Sequence, residues 1–338
     1  MHAASRLLAL LTAPLLCSAA AGQVFLLPTA SRSIFEPGGE ARYFAPTPGK
    51  TWESGTFGCV RSDGHQLHEG LDIKWTQRDR KGEPTDPVLA SANGTVAYVN
   101  RKAGLSNYGN YLLLRHRIEG LEIGTLYAHL ASIREDLKEG IAVVAGENIG
   151  IMGRTTNTKT RIAPERAHVH FEIDLIASDR YAQWHEANLV GLRNDHGNWN
   201  GRNLLGIDPR SLLHQQQSQG SQFSLLHFIQ GQTELCRVLV KKGDFSFARR
   251  HPALVRRNPA TEKEGVGAYE LGLNFNGVPC QIIPRTASEV KNYPAKYHLL
   301  SVNDAEQRSN GCRKFLAQKS GKWELTPEGI RHLDLLAF

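Results

Sequence analysis

The chain has 338 residues, of which 40 are Lys or Arg and 33 are Asp or Glu, giving a formal charge of +7. That modest excess suits an anionic polymer, a nucleic acid or a membrane surface equally well. No basic run interleaved with aromatics occurs, which removes the usual sign of nucleic-acid binding, and no apolar run is long enough for a transmembrane helix.

Residues 1–21 read as a signal peptide. A basic start through Arg6 precedes an apolar run from Leu7 to Cys17 and then the small residues Ser18 to Gly22, which predicts cleavage near Ala20 or Ala21 and export to the periplasm or beyond. Leu16 before Cys17 argues against lipidation. Removing Arg6 with the signal leaves 39 basic against 33 acidic residues, or +6.

Residues 22–55, rich in Pro and Gly, read as an extended lead-in packed on the body that follows. From 56 to 213 the apolar segments are short and turns are frequent, with strand-like runs at 95–100, 111–116, 122–130, 141–144 and 167–174. This predicts a mainly β, antiparallel domain, with a helical patch at 178–189. Residues 214–222 have the composition of a linker. Residues 223–338 are enough for a separate domain, read as a β-rich, disulfide-containing accessory domain from runs such as 236–240 and 271–275.

The chemistry concentrates in three short pieces. In 167–173 a strand would put His168, His170 and Glu172 on one face and Val169, Phe171 and Ile173 on the other, so the apolar row can enter a core while both imidazoles face a cleft. In 125–130 the same alternation puts Tyr127 and His129 on the polar side. His68 and Asp72 are four apart, with Gly70 between them disfavouring a helix, so one extended strand would project both to one side. Glu69 would then point away. His116, beside Leu113 and Leu114, reads as a packed or surface residue rather than a chemical one.

Over 56–210 the chain resembles the lysostaphin-type (LytM-like) zinc metallopeptidases, marked by His-x-x-x-Asp early and His-x-His late. The phrases Asp86-Pro87-Val88, Gly109-Asn110-Tyr111, Leu126-Tyr127-Ala128-His129-Leu130 and Ile207-Asp208-Pro209 carry the likeness as well. The resemblance implies a duplicated-hybrid-motif fold and one Zn²⁺ held by His68, Asp72 and His170. It also implies His129 and His168 as the free catalytic imidazoles, and peptidoglycan peptides as substrate. Tyr127 and Glu172 are candidates for supporting hydrogen bonds to the site. The chain departs from the family in the loop before His-x-His, where Arg161 and Arg166 replace Gly, Ser and Thr and would border the cleft. A non-hydrolytic wall-binding or activating module, and a general protease for Gly-rich proteins, are the alternatives.

Beyond the signal lie Cys59, Cys236, Cys280 and Cys312, an even count in an oxidising compartment. No Cys-x-x-Cys spacing occurs, which disfavours a second zinc site. Four cysteines allow three pairings, and full pairing requires Cys59 to reach the C-terminal region. The competing reading makes Cys59 a latent zinc ligand.

Overall fold

The computed structural model describes residues 24–338, and the expected signal segment, 1–21, lies outside the described residues. Its centre is a hairpin, Tyr111–Ile118 with Leu121–Ala128, turned by Glu119 and Gly120, both at positive φ (50° and 77°). Two successive residues in that region give the type I′ geometry whose twist matches the flanking strands. The hairpin sits inside a seven-stranded antiparallel sheet that runs Leu204–Ile207, His168–Ile176, Leu121–Ala128, Tyr111–Ile118, Gly94–Asn100, Ala142–Val143. The seventh strand, Leu71–Lys74, shares an edge with Leu204–Ile207. It pairs with His168 to Phe171, and the other with Ile173 to Ile176.

All nine residues of His168–Ile176 are buried, because the sheet is covered on both sides. Val169, Phe171 and Ile173 enter the main core with Leu112, Leu114 and Tyr127. The opposite face carries a smaller cluster of Tyr111, Leu113, Leu126 and Ala128. His170 pairs with Ala128 and Glu172 with Leu126, which places the polar row on that second face.

His68 and Asp72 do not share one strand as the spacing suggests. They end and enter two different strands, Gln66–His68 and Leu71–Lys74, with the chain crossing at Glu69-Gly70. A Cβ on Gly70 would meet the Phe171 carbonyl oxygen at 2.2 Å, so only glycine allows the crossover to lie against the His168–Ile176 strand. The lead-in packs on the same region, with the Ala45 amide donating to the Asp72 carbonyl (2.8 Å) and Phe44 bridging to Ile73.

The linker composition at 214–222 folds as helix. Residues through Gln219 complete the helix Pro209–Gln219, capped by Asp208 and ended by Gly220 at φ 57°. Gln216 is buried there, accepting from the Val24 and Phe25 amides (both 2.8 Å) and donating to the Phe25 carbonyl (2.7 Å). Its three hydrogen bonds explain why a run of glutamines is ordered: Gln is a fair helix former, and here its amide satisfies the backbone of the extended segment at Val24 and Phe25.

Beyond it, a four-stranded antiparallel sheet runs Pro279–Arg285, Ala268–Leu273, Cys236–Val240, Tyr297–Val302. It is flanked by short helices and by Pro327–Ala337. This unit is continuous with the first. One buried cluster runs from Phe25 and Phe57 through to Leu336, and Glu119 accepts the Leu225 and Leu226 amides at the start of the helix Leu225–Gln230. A disulfide, Cys59–Cys312, closes the contact.

Full cysteine pairing is not met, because Cys236 and Cys280 are free and buried. They lie on strands separated by Ala268–Leu273. Two strand spacings amount to about 9–10 Å, beyond the roughly 7 Å limit for a bridge. The disulfide also disposes of Cys59 as a metal ligand.

Candidate metal centre

His68 Nε2, Asp72 Oδ1 and His170 Nδ1 converge on one point. Their separations are 3.0 Å (His68 to Asp72), 3.0 Å (His170 to Asp72) and 3.1 Å (His68 to His170). All three residues are buried and form a group able to hold a metal ion. Ligands bonded at about 2.0 Å around a tetrahedral ion lie roughly 3.3 Å apart, so this triangle has the right dimensions.

The other ring nitrogens are engaged elsewhere. His68 Nδ1 donates to the Thr56 carbonyl (2.7 Å), and His170 Nε2 to Glu172 Oε1 (2.7 Å), which also takes the Tyr108 hydroxyl (2.7 Å). Such partners fix the tautomer and turn the remaining lone pair inward. Glu172 therefore supports His170, as its place on the strand face predicts.

Tyr127 does not approach the site. Its register partner is Phe171, so it faces the main core, where its hydroxyl takes the Ser91 amide (2.7 Å) and bonds Thr125. Regular alternation would carry His129 to the same wrong face. Instead the strand ends at Ala128, and His129 takes φ 60°, which turns its ring back toward the cluster. Its ring then lies 4.8 Å from that of His168 and 6.0 Å from that of His170. His168 Nε2 is 3.4 Å from Asp72 Oδ1.

Arg61 is the residue that sequence reading missed. On the strand Gly58–Arg61, which pairs with Gln66–His68, it donates from Nη2 to Asp72 Oδ2 (2.5 Å) and lies 2.9 Å from His68 Nε2. Its signal in the chain is only a place seven residues before His68, with no motif to mark it. Of the two loop arginines, Arg166 is held near Asp72 by a bond from Nε to the Pro46 carbonyl (2.7 Å), whereas Arg161 is exposed and makes no side-chain contact with the site among the described residues.

Residues 66–182, which hold His68, Asp72, His129, His168 and His170, match Peptidase family M23. The chain carries a peptidase family M23 domain. Curated relatives include the DD-carboxypeptidase/endopeptidase Mpg of Neisseria meningitidis serogroup B (strain MC58). It is 36% identical over 107 residues, which is 32% of this chain and 20% of the relative. The Neisseria gonorrhoeae protein of the same description is 35% identical over the same shares. The match thus spans about a fifth of the length of these relatives. Among solved structures, a zinc-containing peptidase from Vibrio cholerae is 27% identical over 32% of this chain and 26% of that one, with a TM-score of 0.23. The lysostaphin catalytic domain from Staphylococcus simulans is 20% identical over 51% and 88%, with a TM-score of 0.28.

Within the M23 domain, burial and charge sort the protonation states. Burial pushes the Asp72 carboxyl up, but His168 and His68, with hydrogen bonds from His170 and His68, hold it well below the carboxylate range. Burial lowers His129 well below the usual imidazole value, and the His168 and His170 rings lower it further. His168 is lowered by burial against the opposing pull of Asp72. Burial opposes protonation of His170 too, yet Asp72 and Glu172 raise it to about 10 in the metal-free protein.

The M23 domain therefore presents two neutral imidazoles beside a triangle of candidate donors, in which an ion would displace the His170 proton. Nδ1 of His129 donates to the Thr155 carbonyl (2.8 Å) and Nδ1 of His168 to the Arg166 carbonyl (2.6 Å). In both rings this leaves Nε2 as the basic atom, the state a general base needs.

Proposed function

We propose that the chain is an exported zinc metalloendopeptidase that hydrolyses peptide bonds in bacterial peptidoglycan. One observation carries this reading: two neutral imidazoles, each with Nε2 left free, stand against a two-nitrogen, one-oxygen donor triangle. His68, Asp72 and His170 would hold the ion. Bound there, zinc supplies Lewis acidity that polarises a carbonyl and lowers the pKa of water from 15.7 toward about 7.

The rest falls to the protein. Nε2 of His129 or His168 accepts the proton of the attacking water and returns it to the leaving amine, and the other imidazole steadies the developing oxyanion. The Arg61 guanidinium holds Asp72 Oδ2, which leaves Oδ1 turned toward His68 and His170, and would add positive charge beside the donors that hold the ion. Arg166 adds a second cation at the cleft rim. Support for the wall as substrate comes from the endopeptidase relatives. Support for export comes from the composition of residues 1–21, and among the described residues no helix is long and apolar enough to cross a membrane.

The test is digestion of isolated peptidoglycan by the zinc-loaded protein beside an Asp72→Ala control, with fragments analysed by mass spectrometry. New amino termini only with the active protein are expected. Their absence, with zinc bound at one ion per chain, would sink the reading.

A further inference from the structure

A cavity of about 620 Å³ opens where the C-terminal unit closes over the M23 domain. Glu69 and Tyr108 line it from the M23 domain, Trp184 and Arg202 from the segment that follows, and Arg313 from the C-terminal unit. None of His68, Asp72, His129, His168 and His170 does. Its size falls within the range of small-molecule sites, about 300–1,000 Å³.

The wall holds four guanidinium groups in two conditions. Arg193 pairs with Asp195 (2.6 Å) and Arg331 with Glu328 (3.4 Å). Arg202 and Arg313 have no side-chain hydrogen bond or ion pair among the described residues, and Arg313 Nε is buried without a partner. Arg313 is half-buried with its guanidinium 5.0 Å from the Phe315 ring centre, and an enclosed N–H left without an acceptor is an unfavourable arrangement that a folded protein normally relieves. Burial pushes Arg313 below its ordinary value and Arg202 repels it, while Glu69 and Glu328 act the other way. Apolar replacement would remove that strain; an anion in the cavity would also relieve it.

We propose that this cavity binds the end of a peptide through its free carboxylate, taken between Arg202 and Arg313. Planar guanidinium groups suit a carboxylate better than a point charge does. Glu69 stands in the same wall without an ion pair, so it accepts from the amino group of a ligand that carries both charges. Trp184 and Tyr108 offer flat apolar surface to its side chains.

One wall residue of the cavity also reaches toward the candidate metal centre. The Tyr108 hydroxyl donates to Glu172, which holds His170, so only two hydrogen bonds separate the cavity wall from a metal-ligand candidate. The choice of a peptide ligand rests on the peptidase reading above; the carboxylate site does not.

The experiment is calorimetric titration of the full chain with D-alanyl-D-alanine, its C-terminal amide and its N-acetyl form. The dipeptide is expected to bind at least tenfold more tightly than the amide, and Arg313→Gln or Arg202→Gln to abolish that preference. Arg202 is exposed, so its variant keeps the test open if the other misfolds. The N-acetyl form is expected to bind more weakly than the dipeptide and to regain affinity in Glu69→Gln. Asp72→Ala is expected to keep the preference, because the metal centre is a separate place. No binding, equal affinity for dipeptide and amide, or loss of binding in Asp72→Ala would each overturn the proposal. Failure to cut peptidoglycan, by contrast, would leave these affinities where they are.

Discussion

Arg61 and Asp72 form an ion pair at the wall of the candidate metal centre, with Nη2 2.5 Å from Oδ2 and both side chains largely buried. Because Oδ1 is the atom that faces His68 and His170, the pair fixes which carboxylate oxygen is offered to an ion. Arg61→Ala is expected to reduce zinc affinity or turnover by about 10–100-fold, the usual effect of losing such a supporting partner. Arg61→Lys should recover only part, since lysine supplies charge without the planar fork. Chelator competition and kcat measured on the same preparations check this, and no change in either would remove Arg61 from the site.

His170→Ala and Asp72→Ala are expected to lose the ion, read by elemental analysis of folded, dialysed protein. His129→Ala and His168→Ala should keep it and lower kcat by about 10²-fold or more. Unchanged turnover in metal-loaded His129→Ala would place that ring outside the mechanism.

Glu172→Gln tests the tautomer of His170. The amide is nearly isosteric but carries no charge, so zinc affinity is expected to fall by about 10–100-fold while the fold, judged by circular dichroism, is retained. Tyr127→Phe, by comparison, should leave zinc affinity alone and lower stability by about 1–3 kcal/mol, because it strips the Ser91 amide of its partner.

Acid sensitivity has an identifiable source away from the metal. His332 is buried, stacks on Phe315 and donates to the Gly277 carbonyl, and burial lowers its pKa to about 4. The folded state thus binds the proton less readily than the unfolded chain, whose His titrates near 6.5. Stability from this residue is complete above pH 6.5 and is lost as pH falls toward 4, by up to about 3 kcal/mol. Melting temperatures across that interval should fall steeply in the native protein and less steeply in His332→Gln; parallel curves would refute the assignment.

The candidate ligands are legible in the sequence where backbone periodicity is simple. His170 and Glu172 are two apart on a strand that never departs from alternation, so one face could be read directly. Alternation makes His129 and Tyr127 face-mates, but it stops at Ala128; a single positive φ reverses His129, and no residue type there announces it. Gly70 was read correctly as a helix breaker, yet its reason, a carbonyl of the Phe171 strand lying against it, is a tertiary contact. Arg61 was invisible for the same cause, since its role depends on a hairpin partner rather than on spacing. Gln216 shows the limit of composition: a polar run reads as solvated until the segment it binds, 24–25, is known. The cysteine count gave the reach of Cys59 but not the separation that keeps Cys236 and Cys280 apart.

The Cys59–Cys312 bond spans 253 positions, and Cys59 sits two residues before Arg61. One jaw of the cleft is therefore riveted to a piece of polypeptide made long after it, by a linkage that needs an oxidant. A molecule still in a reducing compartment, or still emerging from the ribosome before residue 312, has its candidate ligands but lacks this clasp. Formation of that bond therefore waits both on completion of the distant segment and on an oxidant.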